Sequence, residues 1–324
     1  MKTLVLMCVA ALGLLVAMLA FGLVLGGPAV PAPMASVNDP FNEVDFSDVP
    51  LPEQVLARDG TPLVYRRYLP RKGGPLRGHV VLVHGSSAWG RSLHPMAKAL
   101  AAAGQAVYVP DVRGHGGSGP RGLTQHLGQL EEDLQDLVAA WQLSQPATLV
   151  GFSAGGGLAL RVAGGPQAGL FAGYLLLAPF IGHDAPTYRP HAGGWVSVGV
   201  PRVLALSALN AVGVTVFNHL PVTRFALDEE ARRWLTPTYN HTLALNFRPQ
   251  LNWAANLRAV TQPLQVLVGA QDEVFVPERF DEVFASHGHP GVVKLLPGVG
   301  HIGLTLDESA LADVVAAVAA LQAR

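Results

Sequence analysis

Gly151-Phe152-Ser153-Ala154-Gly155 sets a serine between two glycines at a spacing suited to nucleophilic chemistry. The pattern Gly-x-Ser-x-Gly marks a sharp strand-to-helix turn that leaves the serine hydroxyl standing above a sheet. The flanks supply that context: the apolar run 147–150 reads as a strand and 154–163 as a helix. Gly151 and Gly155 are required on steric grounds, because a side chain at either would strike the neighbouring strand or helix. The Ala154 N–H then lies at a helix N-terminus and can donate to an oxyanion. The bland alternative is a Gly/Ser-rich loop without chemistry, and the strand and helix on either side argue against it.

Serine is a weak nucleophile unless a base takes its proton, and the base needs a carboxylate to fix its tautomer. Two later segments offer these groups. Asp272 follows the apolar run 264–268, and His301 follows the run 292–296 within Gly300-His301-Ile302-Gly303. Nucleophile, acid and base thus come in the order Ser153, Asp272, His301. Each lies beyond the carboxyl end of a strand, where open α/β sheets place their sites. Asp184, after the run 174–178, is an alternative acid; Asp281 and Glu273 are weaker ones. His84-Gly85-Ser86-Ser87 closes another apolar run, and the Ser86 N–H is expected as the second oxyanion donor beside Ala154.

Two competing signals fail on context. Gly114-His115-Gly116-Gly117-Ser118-Gly119 matches a dinucleotide fingerprint, but Pro120 and Gly122 follow and no helix opens on the glycines. His183, His191, His287 and His289 show no metal-ligand spacing. The proposed chemistry calls for no metal and no organic cofactor.

The elements that must position these residues are legible as apolar runs separated by helical periodicity. Asp59-Gly60 between 53–58 and 63–69 reads as a hairpin. Strand-like runs at 79–84, 106–110, 147–150, 174–178, 264–268 and 292–296 alternate with helical segments. Strands that are apolar throughout, each followed by a helix, imply a mostly parallel sheet of about eight strands covered on both faces. Between Phe180 and Leu264 lie 83 residues, and a whole βαβ unit takes only about 30. A helical cap inserted at 182–250 accounts for the excess, dividing an α/β core into 51–181 and 251–324. The stretch 195–220 is very apolar with Arg202 as its one charge, while Pro201, Asn210 and Asn218 argue against a membrane span there.

On these residues the chain resembles the α/β-hydrolase superfamily, and within it the branch of monoacylglycerol lipases, lysophospholipases and serine-aminopeptidase-like hydrolases. His84-Gly85, Asp111-Val112-Arg113-Gly114-His115-Gly116-Gly117-Ser118, Gly151–Gly156, Gly269–Asp272 and Gly300-His301 carry the resemblance, which spans about residues 52–322. It implies a serine esterase or lipase fold with a cap over the site. Phe152 and Ala154 stand where that branch more often has His and Met, which bears on substrate choice. With an apolar cap, a small lipid-like carboxylic ester is the expected substrate. Thioesterase, peptidase or acyltransferase chemistry on the same triad, or a non-catalytic tethered binding protein, are the other readings.

Residues 4–25 are apolar apart from two glycines. About 20 helical residues cross a bilayer, whereas a secretory h-region is shorter. Residues 1–27 are therefore expected as a transmembrane anchor, or a cleaved signal, with 28–50 as an extended tether. Lys2 precedes the run, and Asp39, Glu43, Asp45 and Asp48 follow it. This asymmetry places the domain on the extracytoplasmic side, or in secreted form if the segment is cleaved. A formal net charge of −1 gives no basic field for nucleic acid. Cys8 is the one cysteine, so no internal disulfide can form.

Overall fold

The computed structural model describes residues 1–323. The chain opens with helix α1 (Lys2–Leu25), the single turn α2 (Ala35–Asn38) and a 3₁₀ turn at Asp39–Glu43. Strands β1 (Glu53–Leu56) and β2 (Pro62–Tyr68) form the hairpin, with Gly60 at φ 79° in the turn. Then β3 (Gly78–Val83), α3 (His94–Ala102), β4 (Gln105–Pro110), α4 (Gln129–Trp141), β5 (Thr148–Phe152), α5 (Ala154–Ala163) and β6 (Gly173–Leu177) alternate. The long interval carries β7 (Val196–Val198), α6 (Val200–Ala211), β8 (Pro221–Phe225), α7 (Ala231–Trp234), β9 (Thr238–Asn240) and α8 (His241–Asn246). The chain closes through α9 (Trp253–Arg258), β10 (Leu264–Gly269), α10 (Phe280–Ala285), β11 (Val293–Leu296), α11 (Gly303–Leu306) and α12 (Glu308–Gln322).

Eight strands form one sheet in the order β1-β2-β4-β3-β5-β6-β10-β11. The six strands from β4 to β11 run parallel; β1 and β2 are antiparallel at one edge. Helices α3, α11 and α12 pack together as one layer, and α5 with α9 as another. Covered on both faces, the central strands must be apolar throughout, and Val80 to Val83 of β3 are fully buried. Each such side chain contributes about 1.5–3 kcal/mol of burial. Parallel pairing also brings the carboxyl ends of β3, β5, β10 and β11 to one edge of the sheet.

The interval 182–250 adds a three-stranded antiparallel sheet, β7-β8-β9, to its helices. Strands of three to five residues carry too few alternations to register as a sequence pattern.

Residues 28–50 depart from an extended tether. The Met34 N–H donates to the Ala226 carbonyl at 3.1 Å, and the Asn38 amide donates to the same oxygen at 3.0 Å. Val37 is buried, and Phe41 packs against the main core. A polar linker stays in water, but Val37, Phe41 and Phe46 have apolar surface to hide, and the domain offers a groove that takes it.

The C-terminal end of α1 rests on α6. The Arg202 guanidinium donates to the carbonyls of Leu23 at 2.9 Å and Val24 at 3.2 Å, and the Arg202 N–H to that of Gly26 at 3.2 Å. These are the carbonyls that a helix end leaves without intrahelical partners, and a cation there also faces the negative end of the helix dipole.

Candidate active site

Ser153 occupies the turn between β5 and α5 with φ 55° and ψ −117°. A non-glycine residue held in this region costs about 1–3 kcal/mol, which the surroundings must offset. The Ser153 N–H donates to the Leu177 carbonyl at 2.8 Å, and its own carbonyl accepts from Phe180 at 3.0 Å. A Cβ on Gly151 would meet the Gly155 carbonyl, and one on Gly155 the carbonyls of Val83 and His84. The two glycines are therefore what lets the turn close against its neighbours.

The loops after β10 and β11 bring two further side chains to this turn. His301 Nδ1 lies 2.7 Å from Asp272 Oδ2, and its Nε2 lies 3.1 Å from Ser153 Oγ. With the Nδ1–H donating to the carboxylate, Nε2 is left to accept the serine proton. Asp272 Oδ1 accepts from the Val274 and Phe275 amides at 2.8 and 2.7 Å. Burial pushes the Asp272 carboxyl up; the charge and hydrogen bond of His301 and the two amides outweigh it and hold the group below its ordinary value. The imidazole is packed between Phe152, at 4.8 Å between ring centroids, and Phe275, at 5.3 Å.

The alternative acids lie elsewhere. Asp184 accepts from the Trp253 indole at 3.2 Å. Glu273 accepts the backbone N–H of His301 at 3.0 Å and so steadies the loop that carries the imidazole. Asp281 sits in the first turn of α10.

Ser86 lines the same pocket as Ser153, and Ala154 begins α5 with its N–H free of any intrahelical partner. The loop bearing Ser86 is held from several sides. The Trp195 indole donates to Ser86 Oγ at 2.9 Å, and the Ser87 hydroxyl donates to the Thr236 carbonyl at 2.8 Å. Ser87 has φ 67°, and its N–H donates to the Tyr239 hydroxyl at 2.5 Å. That hydroxyl in turn donates to His115 Nε2 at 2.6 Å, because the His115 Nδ1–H points to the Val112 carbonyl. His84, beneath the loop, donates from Nδ1 to the Gly85 carbonyl and accepts the Val112 N–H at Nε2. Burial keeps both histidines neutral, pushing His84 down to about 4 and His115 well below its ordinary value.

The Asp111–Ser118 motif is therefore scaffolding for this edge of the sheet. Asp111 accepts from the amides of Gly90 and Gly117, and Arg113 pairs with Asp59 and Asp133. Tyr239 comes from the inserted segment and lay outside sequence reasoning. A lone tyrosine in a mixed stretch has no spacing that ties it to a loop 152 positions earlier.

The pocket above Ser153 measures about 360 Å³. Phe152, Trp195, Trp234, Leu235, Val274 and Ile302 form much of its apolar lining, and Asp228 and Glu230 are its acids. Val37, Phe41 and Phe46, from the segment after α1, complete it. A hydroxyl relayed to a carboxylate through an imidazole, with two amides nearby and apolar walls, is suited to acyl transfer from an apolar substrate.

Residues 74–307, more than two thirds of the chain, match the family described as serine aminopeptidase, S33. A monoacylglycerol lipase of Mycolicibacterium smegmatis is 35% identical over 115 residues, covering 33% of this chain and 40% of that relative's length. Among solved structures, a soluble variant of monoglyceride lipase from Saccharomyces cerevisiae superposes with a TM-score of 0.63 at 18% identity, covering 86% of this chain and 97% of that one. A monoacylglycerol lipase of Paleococcus ferrophilus gives 0.59 at 19% identity, with coverages of 80% and 99%. The enol-lactonase of Burkholderia xenovorans gives 0.57 at 19% identity, with 84% and 100%. At these identities the structural likenesses establish the α/β-hydrolase fold.

Proposed function

The chain belongs to the serine aminopeptidase S33 family of α/β-hydrolases, and from that premise we propose that it is a serine hydrolase of lipid-like carboxylic esters, of monoacylglycerol or lysophospholipid type. The observation that carries this reading is the hydrogen-bonded line Ser153–His301–Asp272 at the floor of an apolar pocket.

In the proposed mechanism Ser153 Oγ attacks the ester carbonyl carbon while its proton passes to His301 Nε2. The carbonyl oxygen gains the displaced electron pair and is held by the Ser86 and Ala154 amides. As the C–O bond to the alcohol breaks, His301 returns the proton to the leaving oxygen, and an acyl-Ser153 ester remains. Water, deprotonated by His301, attacks that ester; the acid departs and Ser153 recovers its proton. Asp272 stays ionised throughout and stabilises the imidazolium.

The location we propose is an extracytoplasmic domain held by α1 as a membrane anchor. Helix α1 has 24 residues, a mean hydropathy of 2.8 in its most apolar window and no burial within the protein there. Its docking partner α6 also exposes Val200 and Leu204, as a surface resting on lipid headgroups would.

The pocket acids Asp228 and Glu230 favour a second reading, an aminopeptidase whose substrate ammonium they would meet. A panel of monoacylglycerols and p-nitrophenyl esters set against aminoacyl amides decides between them. Hydrolysis of the esters by the wild-type chain, lost in Ser153→Ala, supports the esterase; amide cleavage without ester cleavage contradicts it.

A further inference from the structure

Residues 34–46 join the anchor helix to the hydrolase core, yet they run across the active-site pocket. One end is fixed to the cap by the two hydrogen bonds onto the Ala226 carbonyl. The other end is fixed to the core. The Arg91 guanidinium lies 4.5 Å from the Phe46 ring centroid, and Asp48 pairs with His94 at 2.9 Å and Lys98 at 2.6 Å. Between these attachments Val37, Asn38, Phe41 and Asn42 line the pocket that holds Ser153 and His301.

We propose that this juxtamembrane segment is a substrate-specificity wall: Val37 and Phe41 contact the apolar chain of the substrate and set the chain length the enzyme accepts. The proposal rests on the esterase reading. Three observations carry it. Val37, Phe41 and Phe46 give the pocket apolar side chains, Asn38 and Asn42 add uncharged ones, and the acidic neighbours Asp39 and Glu43 are not among its lining. The cap adds Trp195, Trp234 and Leu235 to the same pocket, so a chain leaving Ser153 would find apolar side chains from both segments. Asn38 Oδ1 has no hydrogen-bond partner among the described residues, although the Asn38 amide is committed to Ala226. A buried acceptor left open costs free energy unless a donor fills it, and a substrate hydroxyl is such a donor. The segment is continuous with α1, so the wall is part of the tether itself.

The test uses the full-length chain in detergent and p-nitrophenyl acetate, butyrate, octanoate and laurate. For Phe41→Ala the laurate-to-acetate ratio of kcat/KM should fall about 10-fold, the scale on which a hydrophobic pocket discriminates chain length. Phe41→Trp fills the same space from the other direction and should move the optimum to a shorter ester. Leu51→Ala, exposed and away from the pocket, serves as the control and should leave the ratio unchanged. Thermal melts identify a variant that fails to fold; Phe41→Trp then decides. A ratio and an optimum that stay at wild-type values overturn the wall and leave the esterase standing. Absence of Ser153-dependent hydrolysis across all four esters overturns the esterase reading, and the wall with it.

Discussion

The Tyr239 hydroxyl lies 2.6 Å from His115 Nε2 and 2.5 Å from the Ser87 amide nitrogen, so one cap side chain bonds both the loop after β3 and the glycine-rich motif after β4. Through Ser87 it fixes the backbone next to Ser86, whose amide is the second oxyanion donor in the mechanism we propose. On that mechanism Tyr239 helps to shape the proposed oxyanion site.

Removing that hydroxyl should show in catalysis more than in binding. Tyr239→Phe leaves the buried Ser87 N–H and His115 Nε2 unpaired, costing about 1–3 kcal/mol of stability. A loosened oxyanion donor, as against a deleted one, should lower kcat about 10-fold with KM little moved. Steady-state kinetics on an ester substrate check this, and a change confined to KM would contradict the role.

Asp272→Asn probes the tautomer. An amide at that position can offer an N–H to Nδ1, which would place the imidazole proton on Nε2, facing Ser153. By analogy with other triads, kcat should fall about 10⁴-fold with little loss of fold. Retention of more than a tenth of the activity would contradict Asp272 as the orienting carboxylate.

Much of this arrangement was legible before any coordinates. Apolar runs such as 80–83, bounded by turn residues, read as buried strands, and Gly151 and Gly155 are steric necessities that leave a spacing behind. Asp272 and His301 were readable because each follows a mostly apolar run, broken only by Gln265 or Lys294, and the structure brings both to Ser153. What escaped was long-range and chemically ordinary. Val37 and Phe41 look like hydrophobic residues in a Pro-rich linker until a groove is there to receive them. Arg202 looks like an isolated charge until the carbonyls of Leu23 and Val24 appear above it. Strands β7 and β9, at three residues each, carry no period to read.

Acid should weaken the fold through the two neutral histidines. The unfolded-state value is about 6.5, and burial holds His84 down to about 4 and His115 well below its ordinary value. Between those values the unfolded chain binds more protons than the native one, so stability falls as pH falls from about 6.5 to about 4. His84 alone accounts for about 3 kcal/mol over that range. Urea unfolding at several pH values should show this slope, and His84→Asn should reduce it. A wild-type slope of zero would sink the argument.

Arg202→Ala tests the docking of α1 on α6. It leaves the Leu23, Val24 and Pro221 carbonyls without their donor and should cost about 1–3 kcal/mol locally. Limited proteolysis in detergent should cut the link at 27–33 faster in the variant, while the core melts as before. Equal cutting rates would mean that α1 is held by something else.

The central claim is that Ser153 is the nucleophile, and covalent labelling tests it most directly. A fluorophosphonate probe should modify the wild-type chain once, with the adduct mapped by mass spectrometry to the peptide bearing Ser153, and should leave Ser153→Ala unmodified. Labelling that persists in Ser153→Ala, or a folded wild-type chain that takes no label, would contradict the account.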